Sequence, residues 1–280
     1  MRVHGFPAIA RLTLHEAVRK RILVAALIVG AAFLTLFGIG LHLILREAAK
    51  DGGMTLVERR VFLNLFTLAG LYAANLLTVM TAVLLPVDTL SGEIASGTIQ
   101  TLAVRPIRRR DIVLGKWMGH WLVMAGYLCV LAGGVLAITW TLAHFVPPRV
   151  ERGLPLILLE GTVLLTLSIA GGTRLSTVTN GMLAFGLFGL AFIGNWVEQI
   201  GTYAGNEAAR QVGTVASLIM PGESLWQLAA SHMQPSIMRE LGASPFSPVS
   251  VPTNAMIVWA AGYILVVLAL GVRSFSKRPL

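Results

Sequence analysis

Few residues in this sequence have both the type and the setting to do chemistry. The clearest is Glu160, an acid inside the apolar run LPLILLEGTVLLTLSIA. An ionisable group in such a run marks an ion path, a proton relay or a substrate contact by default. The other reading is a carboxyl near the outer membrane edge, reached by water or paired with a polar neighbour. Asn64, Asn75 and Thr78 share another apolar run and either line a path or hydrogen-bond between helices. His232, Met233 and Met238 bring imidazole and soft sulfur together, donors that suit copper, but no thiolate or second histidine stands near them. His42 and His144 fall near the outer ends of apolar runs, where a polar interface accounts for them. The single cysteine, Cys129, excludes an intramolecular disulfide and reads as a small packed hydrophobe.

The constellations of enzymes are missing from the sequence: it has no GxxxxGK[ST] phosphate loop, no GxSxG elbow, no HExxH and no paired metal-ligand spacing. Gly115-Lys116-Trp117 lacks both the upstream glycine and the following hydroxyl of a phosphate loop. The chain is therefore expected to be non-catalytic and to hold no cofactor, and any ATP energy would come from another polypeptide.

The elements that must position these residues follow from composition. Hydrophobic residues make up 55% of the chain and charged ones 12%, about half the charge of a soluble domain. They fall in six blocks: Ile22 to Leu45, Val61 to Leu85, Trp117 to Phe145, Leu154 to Ala170, Val178 to Val197 and Ala255 to Val272. Each can span about 30 Å of hydrocarbon at about 1.5 Å per residue, the fourth with help from its flanks. No block alternates polar and apolar residues as a barrel strand would, so the expected class is an all-α integral membrane protein of six transmembrane helices. The first block is too long for a signal peptide and lacks a small-residue cleavage site. The blocks form a single domain over 1–280, without an internal repeat.

Charge orients the bundle. With the N-terminus, the second-to-third loop, the fourth-to-fifth loop and the C-terminus on one side, that side holds 14 of the 22 basic residues but only 4 of the 13 acids. The positive-inside rule places it, with both termini, in the cytoplasm. The net charge of +9 thus belongs to block ends facing lipid headgroups, and nucleic-acid binding is excluded. Arg174 reads as a headgroup anchor of the short fourth-to-fifth turn.

Three connecting stretches have character of their own. Residues 1–21 are expected to form a basic cytoplasmic interfacial helix, although their apolar residues make no clean stripe. Residues 86–116 form a cytoplasmic loop in which LSGEIASGTIQTLAV predicts a short amphipathic helix. Leu90, Ile94, Thr98 and Leu102 share its face, Ser91 caps it, Glu93 sits at its positive end and Pro106 ends it. Gly97 in its middle costs about 1 kcal/mol relative to alanine, so packing must hold it. Arg108, Arg109 and Arg110 follow, facing a partner or lipid phosphates. Residues 198–254, rich in Pro and Gly, predict an outer loop of re-entrant or interfacial helices that roof a cavity. Gly115 and Gly119 permit close helix packing.

The stretch SGEIASGTIQTLAVRPIRRRDIVLGKWMG resembles the signature region of type-2 ATP-binding-cassette (ABC) permeases: an acid, a Gly-Thr pair leading an apolar helix, a proline, a basic stretch and an apolar-Gly-Lys start to the third helix. Here these are Glu93, Gly97, Thr98, Leu102, Pro106, Arg109, Leu114, Gly115 and Lys116. Elsewhere the likeness rests on topology. The resemblance implies an exporter-type membrane subunit, paired with a second permease, identical or different, and bound to two copies of an ABC ATPase subunit that carry ATP and magnesium; the short loops and the absence of targeting extensions fit a bacterial inner membrane. It also implies that the helix around Glu93, Ile94, Gly97, Thr98 and Leu102 is a coupling helix, with Arg109 beside it, and that residues 8–21 complete the ATPase contact. The cargo is not readable, although bland apolar walls favour an amphiphilic or hydrophobic one. Two other classes compete: a non-transporting ATPase-coupled component that acts on an outer protein or assists metalloprotein maturation, and a stand-alone enzyme or ion-coupled carrier centred on Glu160.

Overall fold

Lipid offers the backbone no hydrogen-bond partner, so a segment that crosses it must satisfy its amides internally, and each apolar block here becomes a helix. The computed structural model describes residues 5–50, 53–97, 108–235 and 251–278. Six helices among them are long and apolar enough to cross a membrane: α2 (Arg21–Lys50), α3 (Leu56–Leu84), α5 (Arg109–Ala143), α6 (Val150–Gly172), α7 (Thr177–Tyr203) and α10 (Ala255–Ser276). The shortest has 22 residues, about 33 Å of helix. Four others complete the described fold: α1 (Gly5–Arg19), α4 (Ser91–Ala95), α8 (Glu207–Ile219) and α9 (Gly222–Met233).

Helix α6 is the centre of the bundle, packed on α3, α5, α7, α9 and α10. Its Ile157, Val163, Leu164, Leu165 and Ile169 are fully buried in the main core. Helices α2, α7 and α10 lie outside, with Ile28, Leu36, Ile193, Val258 and Leu265 turned outward. Such exposure suits a helix solvated by lipid, whose acyl tails are as apolar as leucine. The first turn of α3 is fixed by a reciprocal capping box: Glu58 N donates to Thr55 Oγ1 at 3.3 Å, and Thr55 N donates to Glu58 Oε2 at 3.0 Å.

Helix α1 does not lie free at an interface. Its buried residues Gly5, Ile9, Thr13 and Ala17 recur every fourth position, a ridge made mostly of small residues rather than an apolar stripe. The ridge packs on α5, where a side-chain carbon added at Gly115 would lie 2.8 Å from Ile9 and one at Gly119 would lie 2.7 Å from Thr13. Only glycine admits so close an approach. α1 therefore lies against the start of α5, and the last turn of α10 meets Arg109 and Thr173. α1 and the last turn of α10 thus lie at one end of the bundle, here called basal.

Several expectations are corrected. α4 stops at Ala95 and Gly97 has φ 74°. Gly97 is thus a left-handed terminator rather than the middle of a longer helix, a conformation glycine takes at no steric cost. Ser91 does not cap α4 but begins it, with its hydroxyl bonded to the Val87 carbonyl at 2.9 Å. Cys129 is exposed on the outer face of α5 instead of packed. The fifth span continues to Tyr203, so the irregular stretch after it begins later than residue 198, and α8 folds back along α7.

Candidate functional site

Residues 86–97 carry the basal site. The segment sits on the bundle because four side chains from three parts of it grip the segment. Lys20, in the break between α1 and α2, donates to Asp88 Oδ1 at 2.7 Å and also reaches Thr89 Oγ1 and the Leu85 carbonyl at 3.4 Å. Lys116 on α5 donates to Glu93 Oε1 at 2.5 Å. Ser91 Oγ lies 2.9 Å from Thr177 Oγ1 on α7. His120, buried on α5, donates through Nδ1 to the Lys116 carbonyl and places Nε2 3.2 Å from Thr89 Oγ1. Leu90 is fully buried and Ile94 is half-buried against the main core.

Among the described residues the Lys116–Glu93 pair is the most sequestered ion pair, with side-chain exposures of 4% and 18%. A buried ion pair contributes little net stability compared with an apolar replacement, but losing one partner leaves a desolvated charge. Its effect is therefore to hold α4 in one place. Arg109 points its Nη1 at the carbonyls of Ser276 and Arg278 at 3.1 and 2.6 Å, joining the start of α5 to the end of α10. Thr98, Leu102 and Pro106 lie outside the described residues.

Glu160, midway along α6, anchors a second cluster, away from the basal site. It is completely buried, and Asn75 Nδ2 donates to its Oε2 at 3.0 Å, which is the polar-neighbour reading of this acid. A second acid lies close enough to interact with it electrostatically: Glu223, at the start of α9. Asn195 Nδ2 donates to Glu223 Oε1 at 3.4 Å, and Gln227 Nε2 donates to Asn195 Oδ1. The two acids are not obviously partnered in sequence, because 62 residues and three breaks between helices separate them. The only sequence signal for Glu223 is its place in PGESLWQLAA, an acid inside a largely apolar stretch.

Helix α9 is buried over nearly its whole length, so it plugs the bundle rather than resting on a membrane face. Asn64 Nδ2 donates to the Met233 carbonyl at 3.0 Å, while Thr78 bonds back to Ala74 within its own helix. The Met233 side chain packs against Gly153, with no room for an added carbon there. His232 follows it on α9, and Met238 lies outside the described residues. Among the described residues no group of three His, Cys, Asp or Glu could hold a metal ion.

Burial raises the Glu223 carboxyl to about 7, and the Asn195 hydrogen bond opposes the shift. Its folded value exceeds the unfolded one, about 4.3. Below pH 4 the group is protonated in both states. Between about 4.3 and 7 the unfolded chain ionises first and stability falls, by an amount on the order of 3 kcal/mol, and above 7 the loss is complete. Thermal unfolding in detergent should give a higher midpoint at pH 5 than at pH 8. Glu223→Gln should flatten much of that difference, and an unchanged pH dependence would refute the assignment. Tyr72 on α3 and Glu160 on α6 are the other titratable groups facing this carboxyl.

A family model described as ABC-2 family transporter protein matches residues 8–280. Among curated proteins, the probable ABC transporter permease protein NosY of Pseudomonas aeruginosa is 33% identical over 178 residues, 60% of this chain and 59% of the relative. The protein of the same description from Stutzerimonas stutzeri is 33% identical over 125 residues, 45% of this chain and 41% of the relative. The matched region therefore spans less than two thirds of either relative's length.

Proposed function

Since the chain belongs to the ABC-2 transporter family, we propose that it is the membrane permease subunit of an ABC exporter, driven by a separate ATPase subunit present in two copies and paired with a second permease. It is a multi-pass protein of the bacterial inner membrane. The basal end faces the cytoplasm in this reading, in keeping with its excess of Lys and Arg.

The observation that carries the proposal is the grip on residues 86–97. A helix free at a membrane surface would absorb a push from a partner. The segment is tied to Lys20 between the first two helices through Asp88, and α4 within it to Lys116 on α5 through Glu93 and to Thr177 on α7 through Ser91, so displacement of residues 86–97 moves three spans together. Closure of the ATPase pair on ATP would press on α4 and the adjoining face of α1 and rock the helices that enclose the cargo path. Glu93 and Ile94 hold α4 to the bundle in this mechanism. Gly97 ends α4, and for Thr98 and Leu102, which follow it in sequence, we propose the ATPase contact.

The tagged chain, isolated in mild detergent, should bring down a stoichiometric subunit with a phosphate-loop motif and ATPase activity. Isolation of the chain alone would overturn the proposal. Capture of such an ATPase together with an outer protein, but with no cargo moved in reconstituted vesicles, would point instead to a non-transporting component.

A further inference from the structure

At the basal end a cavity of about 330 Å³ is lined by Arg174, Ser274, Lys277 and Arg278. Arg174 stands in the turn between α6 and α7, and the other three close the end of α10. Helix C-termini leave carbonyls without partners and carry partial negative charge, which would repel an anion. Here those carbonyls are covered. Arg278 Nη1 donates to Thr173 O at 2.6 Å, and Arg109 Nη1 donates to Ser276 O at 3.1 Å and Arg278 O at 2.6 Å. Arg174 Nε donates to Ser274 Oγ at 2.7 Å, which sets the direction of its fork while leaving both terminal nitrogens available.

Three acids of the same end, Asp88, Glu93 and Asp111, already face Lys20, Lys116 and Arg110. Among the described residues no carboxylate lines the cavity, and the Lys277 ammonium has no partner. Three cationic heads thus line one hollow, with Arg109 behind them. The hollow lies where the apolar run of α10 ends, the depth at which lipid headgroups sit.

We propose that this pocket binds a phosphate group, presented by an anionic phospholipid headgroup or by a free phosphate-bearing anion. A held guanidinium fork matches the geometry of phosphate oxygens, and the compact ammonium adds a point charge. The site is independent of the ATPase contact. It adjoins α4, because Gly172, next to Thr173, packs on Leu90 and Ser91, so an occupied pocket would stiffen the seat of α4.

The test uses the full chain, with whatever subunits accompany it, in nanodiscs of phosphatidylcholine with and without phosphatidylglycerol. Native mass spectrometry reads the lipid retained. Phosphatidylglycerol should be retained preferentially, and Arg174→Gln/Lys277→Gln should lower its retention about 25-fold, roughly fivefold for each charge removed. Arg110→Gln, at the same end but outside the pocket, should change it less than about twofold. If inorganic phosphate raises the thermal midpoint of the wild type but not of the double variant, while lipid retention is equal in both, the ligand is a soluble anion. If neither probe separates the double variant from the wild type, or if Arg110→Gln loses as much, the pocket is only part of a diffuse positive surface and the proposal fails.

Discussion

Glu93→Lys should abolish coupled transport, with a fall on the order of 100-fold, while the bundle stays folded. The substitution places two ammonium groups where Lys116 has 4% side-chain exposure. Breaking a buried pair in this way costs about 3–5 kcal/mol. That strain has a local outlet. α4 is five residues long and ends at Gly97, so it can leave its seat without disturbing α3 or α5, and about 3 kcal/mol corresponds to roughly a 100-fold change in the seated population. ATPase activity and cargo movement, measured together in proteoliposomes, should show either hydrolysis without transport or loss of the ATPase subunit.

The charge swap Glu93→Lys/Lys116→Glu should recover part of the activity. Glu93→Leu/Lys116→Met should keep α4 seated by packing alone, since apolar replacement of a buried pair is often neutral for stability. Full coupled activity in Glu93→Lys would sink the role given to this pair.

Gly119→Leu should detach α1. A first side-chain carbon at that position already lies 2.7 Å from Thr13 Cβ and 2.9 Å from the Ala10 carbonyl. A backbone atom cannot rotate away, so the whole helix must move. Ile9, Thr13 and Ala17, buried together on α5, would lose their contacts at once, and the Lys20–Asp88 bridge would follow. The expected loss is several kcal/mol, comparable to overpacking at its worst. In a Cys129→Ser background, Ala17→Cys should resist maleimide, because Ala17 is 1% exposed. Adding Gly119→Leu should raise its labelling at least about tenfold. Gly126→Leu, on the same helix with nothing near the added carbon, should leave labelling unchanged. Unchanged labelling in Gly119→Leu would mean that α1 is not seated as described.

These two sites differ in how far they can be read from sequence. The Glu93 region stands out because an acid, a Gly-Thr pair, a proline and a Gly-Lys step recur at fixed spacing, and Lys116 belongs to the same motif. Lys20, which bridges to Asp88, sits in a basic stretch that also reads as a simple membrane anchor, and nothing local distinguishes it from Arg19 or Arg21. α1 was legible as a helix but not as a packed one, since its contact face is built of Gly5, Thr13 and Ala17 rather than large apolar residues. Gly97 is ambiguous by nature: glycine is tolerated within a helix at modest cost and also ends one.

What the sequence by itself determined is the set of helices and their approximate limits. Hydropathy is a property of each segment alone, and a lipid-solvated backbone has one way to satisfy its hydrogen bonds. Which polar groups meet was decided only by the tertiary structure. Glu160 meets Asn75 across 85 residues and Lys116 meets Glu93 across 23, and α9, legible only as a re-entrant or interfacial helix of the outer loop, becomes a buried plug that brings Glu223 toward Glu160. Such pairings depend on how helices rotate and tilt against each other, and that is fixed by packing at small residues such as Gly115, Gly119 and Gly153, whose effect lies in the neighbour they admit and not in their own chemistry.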